Sequence, residues 1–252
     1  MDTVNEKGGP LLSAQGLTKQ FGGLTAVKNV SFDVDRNEIL GLIGPNGAGK
    51  TTVFNMITGL EKPTSGQVLF EGIDIGKLKP HSVCRKGISR TYQNVRPFLN
   101  QTVRQNVEVG LIYGRGFPGS ERKKKVDEIL DLLGLRSKES VLAKSLPIEK
   151  RKMIEVARAL AANPKLLLLD EPMAGLNPKE VGDFVSLIKA LREKGLSILI
   201  VEHVMKAISS ACSRVVVLHS GEVLAMGRPE EVLSDKKVIE VYLGESYAKP
   251  SN

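Results

Sequence analysis

Between residues 11 and 35, apolar and polar side chains alternate in two short runs, LLSAQGLTKQF and TAVKNVSFDV, with Gly22-Gly23 between them. Period-two alternation broken by a glycine pair predicts an antiparallel hairpin with Phe21 at its tip. The pattern then changes. Residues 39–43 form an uninterrupted apolar run, as in a strand covered on both faces, and Val53, Met56, Ile57 and Leu60 recur at helical spacing. A second strand pair is expected over 66–75, turning at Glu71-Gly72, and a further strand over 88–92, ending at Gln93. Helical periodicity returns over 102–112, and again over 121–133 after the break GRGFPGS. The stretch 94–146 therefore reads as a helical insertion hung from the core. The remainder alternates helix and buried strand: helix 148–162, strand 166–169, helix 179–194, strand 197–201, two short strands at 215–218 and 222–225, and helical turns to the end. Continuous apolar strands separated by helices predict an α/β fold with a mainly parallel sheet. No internal repeat interrupts this order.

Composition changes this picture little. At 252 residues, 41% hydrophobic and 25% charged, the chain has an ordinary globular balance and enough length for one elaborate domain or two small ones. No apolar run approaches the roughly 18 to 20 residues of a membrane span. The start, MDTVNEKGGP, carries acids and no apolar stretch, so no secretory signal is expected. Cys84 and Cys212 lack metal-like spacing and read as reduced packing residues of a cytosolic protein. The net charge of +8 favours an anionic partner without choosing among nucleotide, nucleic acid and lipid headgroups. The run Arg122 to Lys125 reads as a solvated helix face, with a lipid or nucleic-acid contact as the alternative.

The chemistry begins where the first buried strand ends. Gly44, Gly49, Lys50 and Thr51 satisfy Gly-x-x-x-x-Gly-Lys-Thr between a strand and a helix, the setting a phosphate-binding loop requires. Its glycines let the backbone N–H groups of Asn46, Gly47, Ala48, Gly49, Lys50, Thr51 and Thr52 turn inward around oxygen anions, helped by the helix start. Lys50 is expected at the β/γ-phosphates of a nucleoside triphosphate, with the Thr51 hydroxyl on Mg²⁺. The run LLLLDEP carries Asp170 to the C-terminal end of another buried strand, where open α/β sheets bind ligands. There Asp170 would hold the metal or its hydration shell, and Glu171 would orient or deprotonate the attacking water. His203 ends the next apolar strand in the same way and is placed to sense the γ-phosphate, whereas His81 and His219 have no such placement. Gln93, between a strand and the insertion, is a candidate contact to both Mg²⁺ and a moving subdomain.

Together these motifs resemble the ATPase domain of ABC transporters, from about Leu11 to Gly244. GPNGAGKTT is similar to that family's phosphate loop, Gln93 to its Q-loop glutamine, LLLLDEP to its Walker B strand and His203 to its switch histidine. Phe21 falls where the family stacks an aromatic ring on adenine. The resemblance implies a P-loop NTPase core with an antiparallel β-subdomain and an inserted α-helical subdomain. It also implies a single domain over 11–246, with 1–93 and 163–246 forming the core and β-subdomain and 94–162 the helical part. ATP and Mg²⁺ are the implied cofactors. GISRTYQNVRPF, EPMAGLNP, VEHVM and VYLGE most resemble the ATPase subunits of bacterial branched-chain amino-acid importers. The implied partners are transmembrane permease subunits, a second ATPase subunit packed head to tail and, indirectly, a solute-binding protein. The implied location is the cytoplasmic face of the plasma membrane. ATPase duty for urea or amide uptake or for lipid export is the alternative. A soluble nucleic-acid machine is a further one, disfavoured because the interval from Lys50 to Asp170 cannot hold a long coiled coil and the phosphate loop occurs once.

Two positions depart from the family. Leu146-Pro147-Ile148-Glu149-Lys150 stands where it has Leu-Ser-Gly-Gly-Gln, so the hydroxyl and glycine N–H groups that cap the partner's γ-phosphate are mostly missing, and Glu149 opposes the helix dipole there. An asymmetric heterodimer is expected, its complete site being the one that contains Lys50. Asn177 replaces a common aspartate and removes a charge at the inter-subunit turn.

Overall fold

The computed structural model describes residues 9–93 and 96–247, with side chains described to Tyr242. Residues 1–8, to which the sequence reading extends the core, and Asn94, where it opens the insertion, lie outside them.

The chain begins with the expected hairpin, β1 (Leu12–Phe21) and β2 (Leu24–Val34). The first buried strand, β3 (Ile39–Ile43), leads through the glycine loop into α1 (Lys50–Ile57). Next come β4 (Ser65–Phe70), β5 (Ile73–Asp74), α2 (Pro80–Lys86) and β6 (Ile88–Arg90). The helical insertion holds α3 (Val103–Tyr113), α4 (Arg122–Leu132) and α5 (Ile148–Ala161). Then β7 (Leu166–Asp170), α6 (Pro178–Glu193), β8 (Ser197–Val201), α7 (Met205–Ala211), β9 (Arg214–His219) and β10 (Glu222–Gly227) complete the core, followed by α8 (Pro229–Leu233) and α9 (Lys236–Tyr247). No described helix is long and apolar enough to cross a membrane.

Two sheets result. The larger runs β10-β9-β3-β8-β7-β6, parallel except for the β10/β9 edge, and the smaller runs β2-β1-β4-β5, antiparallel throughout. Alternate residues of the large sheet serve different cores, because successive side chains of a strand point to opposite faces. Ile39, Ile43, Leu167, Leu169, Ile198 and Ile200 pack with α3, α5 and α6, whereas Leu40, Leu42, Leu166, Leu168 and Leu199 pack with α1 and the small sheet. Burial on both faces explains why these strands carry no polar alternation.

Three differences from the sequence reading have physical causes. Helices α2 and α7 were not expected: each spans seven residues, too short for a periodic stripe to stand out. The strand expected over 88–92 stops at Arg90, where pairing with β7 ends. Asn177 is a helix cap: its side chain accepts from the Glu180 N–H (3.0 Å) while Glu180 Oε2 accepts from the Asn177 N–H (2.9 Å), satisfying two orphan donors of α6.

Candidate functional site

The glycine loop is shaped by close approach. Gly44 has φ +148°, and a Cβ there would stand 2.1 Å from the Leu218 carbonyl oxygen. Gly49, which caps α1, has φ +103°, and its Cβ would meet the Ala26 oxygen at 2.8 Å. Only glycine fits either place. The hairpin is thereby seated against the loop, and the β9–β10 turn joins them, with Gly221 N donating to Ala48 O (3.2 Å) and Lys28 N to Gly221 O (2.8 Å). Phe21 projects from the hairpin at 44% exposure, its ring capped by the Lys19 ammonium at 4.8 Å. Lys50 is buried and folds back over the loop, donating to Gly44 O (2.7 Å) and Pro45 O (2.8 Å). Asn46 and Gly47 are exposed, Ala48 is buried, Thr51 is exposed and Thr52 half-buried.

The second half of the site converges from three elements. Asp170 ends β7, and its neighbour Glu171 adopts φ +48°. The Glu171 carboxylate sits between Gln93, whose Nε2 donates to Oε2 (2.8 Å), and His203, whose Nε2 lies 2.9 Å from Oε1. Residues dispersed over the chain thus meet at one carboxylate. Thr51, Gln93 and Asp170 line one cavity of about 700 Å³ beside α1. A hydroxyl, an amide and one carboxylate are hard oxygen donors that suit Mg²⁺, which commonly takes one or two carboxylates and completes its shell with phosphates and water. No cluster of three His, Cys, Asp or Glu side chains that could hold a metal occurs among the described residues.

Several participants escaped the sequence reading. Arg90 donates to Asp170 Oδ2 (2.7 Å) and to Asn55 Oδ1 (2.7 Å), its side chain 6% exposed and that of Asp170 5%. The signal was a charged residue inside an expected strand just before Gln93. Glu202, 1% exposed, accepts from Met173 N (2.6 Å) and from its neighbour His203 N (3.1 Å), and burial pushes its carboxyl up. Glu155 of α5, 4% exposed, accepts from Arg96 N (2.6 Å) and faces the Arg158 guanidinium (3.3 Å); burial raises its pKa too. Glu155 interrupts a run of buried apolar residues, and Glu202 directly follows one. The segment 146–150, in contrast, offers α5 no side-chain cap: Pro147 stands at the N-cap, Ile148 is exposed and Glu149 lies in the first turn.

Residues 27–174 match the family described as ABC transporter, and residues 222–248 match the family described as branched-chain amino acid ATP-binding cassette transporter. The high-affinity branched-chain amino acid transport ATP-binding protein BraF of Pseudomonas aeruginosa is 40% identical over 252 aligned positions, covering 94% of this chain and 99% of that one. The lipopolysaccharide export system ATP-binding protein LptB of Haemophilus influenzae is 38% identical over 237, covering 94% and 98%. Among solved structures, the ADP conformation of MJ1267, an ATP-binding cassette of an ABC transporter, superposes with a TM-score of 0.86 at 34% identity, covering 94% of this chain and all of that one. The two-sheet core with its helical insertion is the cassette fold, and this chain belongs to the ABC transporter ATPases.

Proposed function

We propose that the chain is the ATP-hydrolysing subunit of a membrane importer for branched-chain amino acids. The observation carrying the hydrolytic part is the Glu171 carboxylate held between Gln93 and His203, one residue beyond Asp170. In this reading Lys50 leaves the loop carbonyls to neutralise the β/γ-phosphates, while the N–H groups from Asn46 to Thr52 cradle them. Gly44, Gly47, Ala48 and Gly49 let the backbone approach, and Phe21 stacks on the adenine. Thr51, Asp170 and Gln93 hold Mg²⁺, whose bound charge offsets that of the phosphates. Glu171 orients the attacking water and accepts its proton, and His203 faces the γ-phosphate from the other side. Hydrolysis is thus positioning and charge neutralisation around an in-line transfer.

The solute assignment is supported by the match over 222–248 to a branched-chain amino acid family and by the likeness to BraF. In a strain lacking this gene, uptake of labelled leucine, isoleucine and valine should return with the parent chain and not with Glu171→Gln. Unchanged uptake in the deletion strain would sink the importer assignment. The likeness to LptB favours a second reading, lipid export, whose mark would be lipid retained in the inner membrane of that strain.

Transmembrane permease subunits are the direct partners, and a solute-binding protein the indirect one, which places the chain on the cytoplasmic face of the membrane. A groove between core and insertion, lined by Leu60, His81, Cys84, Tyr92, Tyr113 and Arg158, supports this: it adjoins Arg90 and so the site, and its exposed apolar rim suits a permease helix. Nucleic acid is not an expected partner. The uncapped start of α5 supports a second, different ATPase subunit that brings its own intact capping segment to the Lys50 site. Inactivating the partner's glutamate should then cost far less turnover than Glu171→Gln, and equal losses would count against asymmetry.

A further inference from the structure

One side chain of the insertion reaches the hydrolytic end of the sheet. Lys152, one turn into α5, donates from Nζ to the carbonyl oxygens of Pro172 (3.3 Å) and Ala174, in the turn directly after Glu171. It lines a small cavity together with Gln93, Asp170 and Glu171. That turn carries an unusual demand. Glu171 sits in the left-handed region at φ +48°, a pose that a side chain with a Cβ holds only where its surroundings over-determine it. Three contacts do so: Glu171 N donates to Val201 O (2.9 Å), Met173 N donates to the buried Glu202 carboxylate (2.6 Å), and Lys152 takes the two carbonyls. The first two anchor the turn to β8 and the residue after it, so Lys152 is the anchor that comes from the helical insertion. Burial lowers its pKa from 10.5, and the nearby carboxyl groups of Glu202, Glu171 and Glu155 offset that only in part.

We propose that Lys152 is a positioning residue for hydrolysis, fastening the turn after β7 to α5 so that the aim of Glu171 depends on the register between insertion and core. The inference rests on the ATPase reading above. It makes Lys152 matter to the reacting geometry and not to the grip on ATP, because its contacts lie behind Glu171 and not on the phosphate loop.

The test compares Mg-ATP turnover and ATP affinity of the complex formed by the full chain and its partner ATPase subunit with those of the same complex carrying Lys152→Met, Lys152→Arg or Glu171→Gln. Lys152→Met keeps the apolar stem and loses the ammonium; kcat should fall about 10- to 100-fold, the range for a misplaced catalytic group. ATP affinity should stay within about twofold, the split expected when an interaction serves the transition state alone. Lys152→Arg, which restores a cationic donor, should recover most of the rate. If Glu171→Gln turns over like the parent, the ATPase reading itself fails. If Glu171→Gln is inactive while Lys152→Met keeps the parental kcat, or loses rate only through weaker ATP binding, the inference about Lys152 is overturned. Circular dichroism checks each fold; if Lys152→Met does not fold, Lys152→Gln is judged by the same two numbers.

Discussion

Replacing Arg90 by methionine isolates the ion pair that holds Asp170. The guanidinium is buried, bonded to Asp170 Oδ2 and Asn55 Oδ1 at 2.7 Å each, and flanked by the rings of Phe54 and Tyr92 at 5.4 and 5.0 Å. Methionine keeps the apolar contacts with those rings but leaves the Asp170 carboxylate, 5% exposed, without its cation. Removing one partner of a buried pair costs about 3–5 kcal/mol, since the remaining charge stays desolvated. For a domain of this size that corresponds to a melting temperature lower by about 6 to 20 °C. The neutral Asp170→Asn change added to Arg90→Met should recover part of that loss, because it removes the unpaired charge; the two changes are therefore strongly non-additive. Mg²⁺ with ATP should narrow the gap between Arg90→Met and the parent, since Asp170 then faces a dication. The assay is denaturant or thermal unfolding in EDTA, repeated with Mg-ATP. An Arg90→Met variant within about 1 kcal/mol of the parent in EDTA, the range of a surface pair, would refute the reasoning.

Gly110→Ala separates packing from propensity. In α3 a Cβ at this position would stand 2.1 Å from the Arg158 carbonyl oxygen and 2.8 Å from Ala161 Cβ on α5, contacts that no rotamer relieves. Helix propensity gains about 1 kcal/mol, and overpacking of about 1–3 kcal/mol or more opposes it, so the midpoint of denaturation should fall, whereas a stabilised variant would show that the two helices move apart freely. Glu155→Gln tests pH dependence. Burial holds the Glu155 carboxyl above its ordinary 4.5, so the folded chain keeps this proton where the unfolded chain has lost it. The stabilisation is complete below pH 4.5 and disappears as pH rises through the folded pKa. The neutral amide should flatten that decline in a series of melts from pH 4.5 upward; Glu202 contributes a decline of the same sign that stays in place.

The parts legible in the sequence were those written in contiguous residues. Runs such as 39–43, 166–169 and 197–201 announced strands buried on both faces, and the glycine loop, LLLLDEP and His203 announced what stands at their C-terminal ends. That Gln93, Glu171 and His203 share one point follows from strand order, because β6, β7 and β8 are neighbours in the sheet. Arg90 was opaque for the same reason: its charge has meaning only once β6 pairs with β7 and brings Asp170 within reach. The roles of Glu155 and Glu202 were opaque because the Arg96 and Met173 N–H groups they accept from belong to segments remote in sequence. The Asn177 cap, by contrast, was readable as Asn-x-x-Glu ahead of an apolar helix, a local pattern read only as a lost charge.

In the proposed mechanism Glu171 activates water beside a triphosphate gripped by the Lys50 loop. Phosphate release from Mg-ATP, followed together with the nucleotide that stays bound, measures this directly in the complex with the partner ATPase subunit, assembled with the parent chain or with Glu171→Gln. The parent should release phosphate, while the variant binds ATP as tightly and retains it intact. A variant that releases phosphate at the parental rate would place the hydrolytic base elsewhere and contradict the assignment.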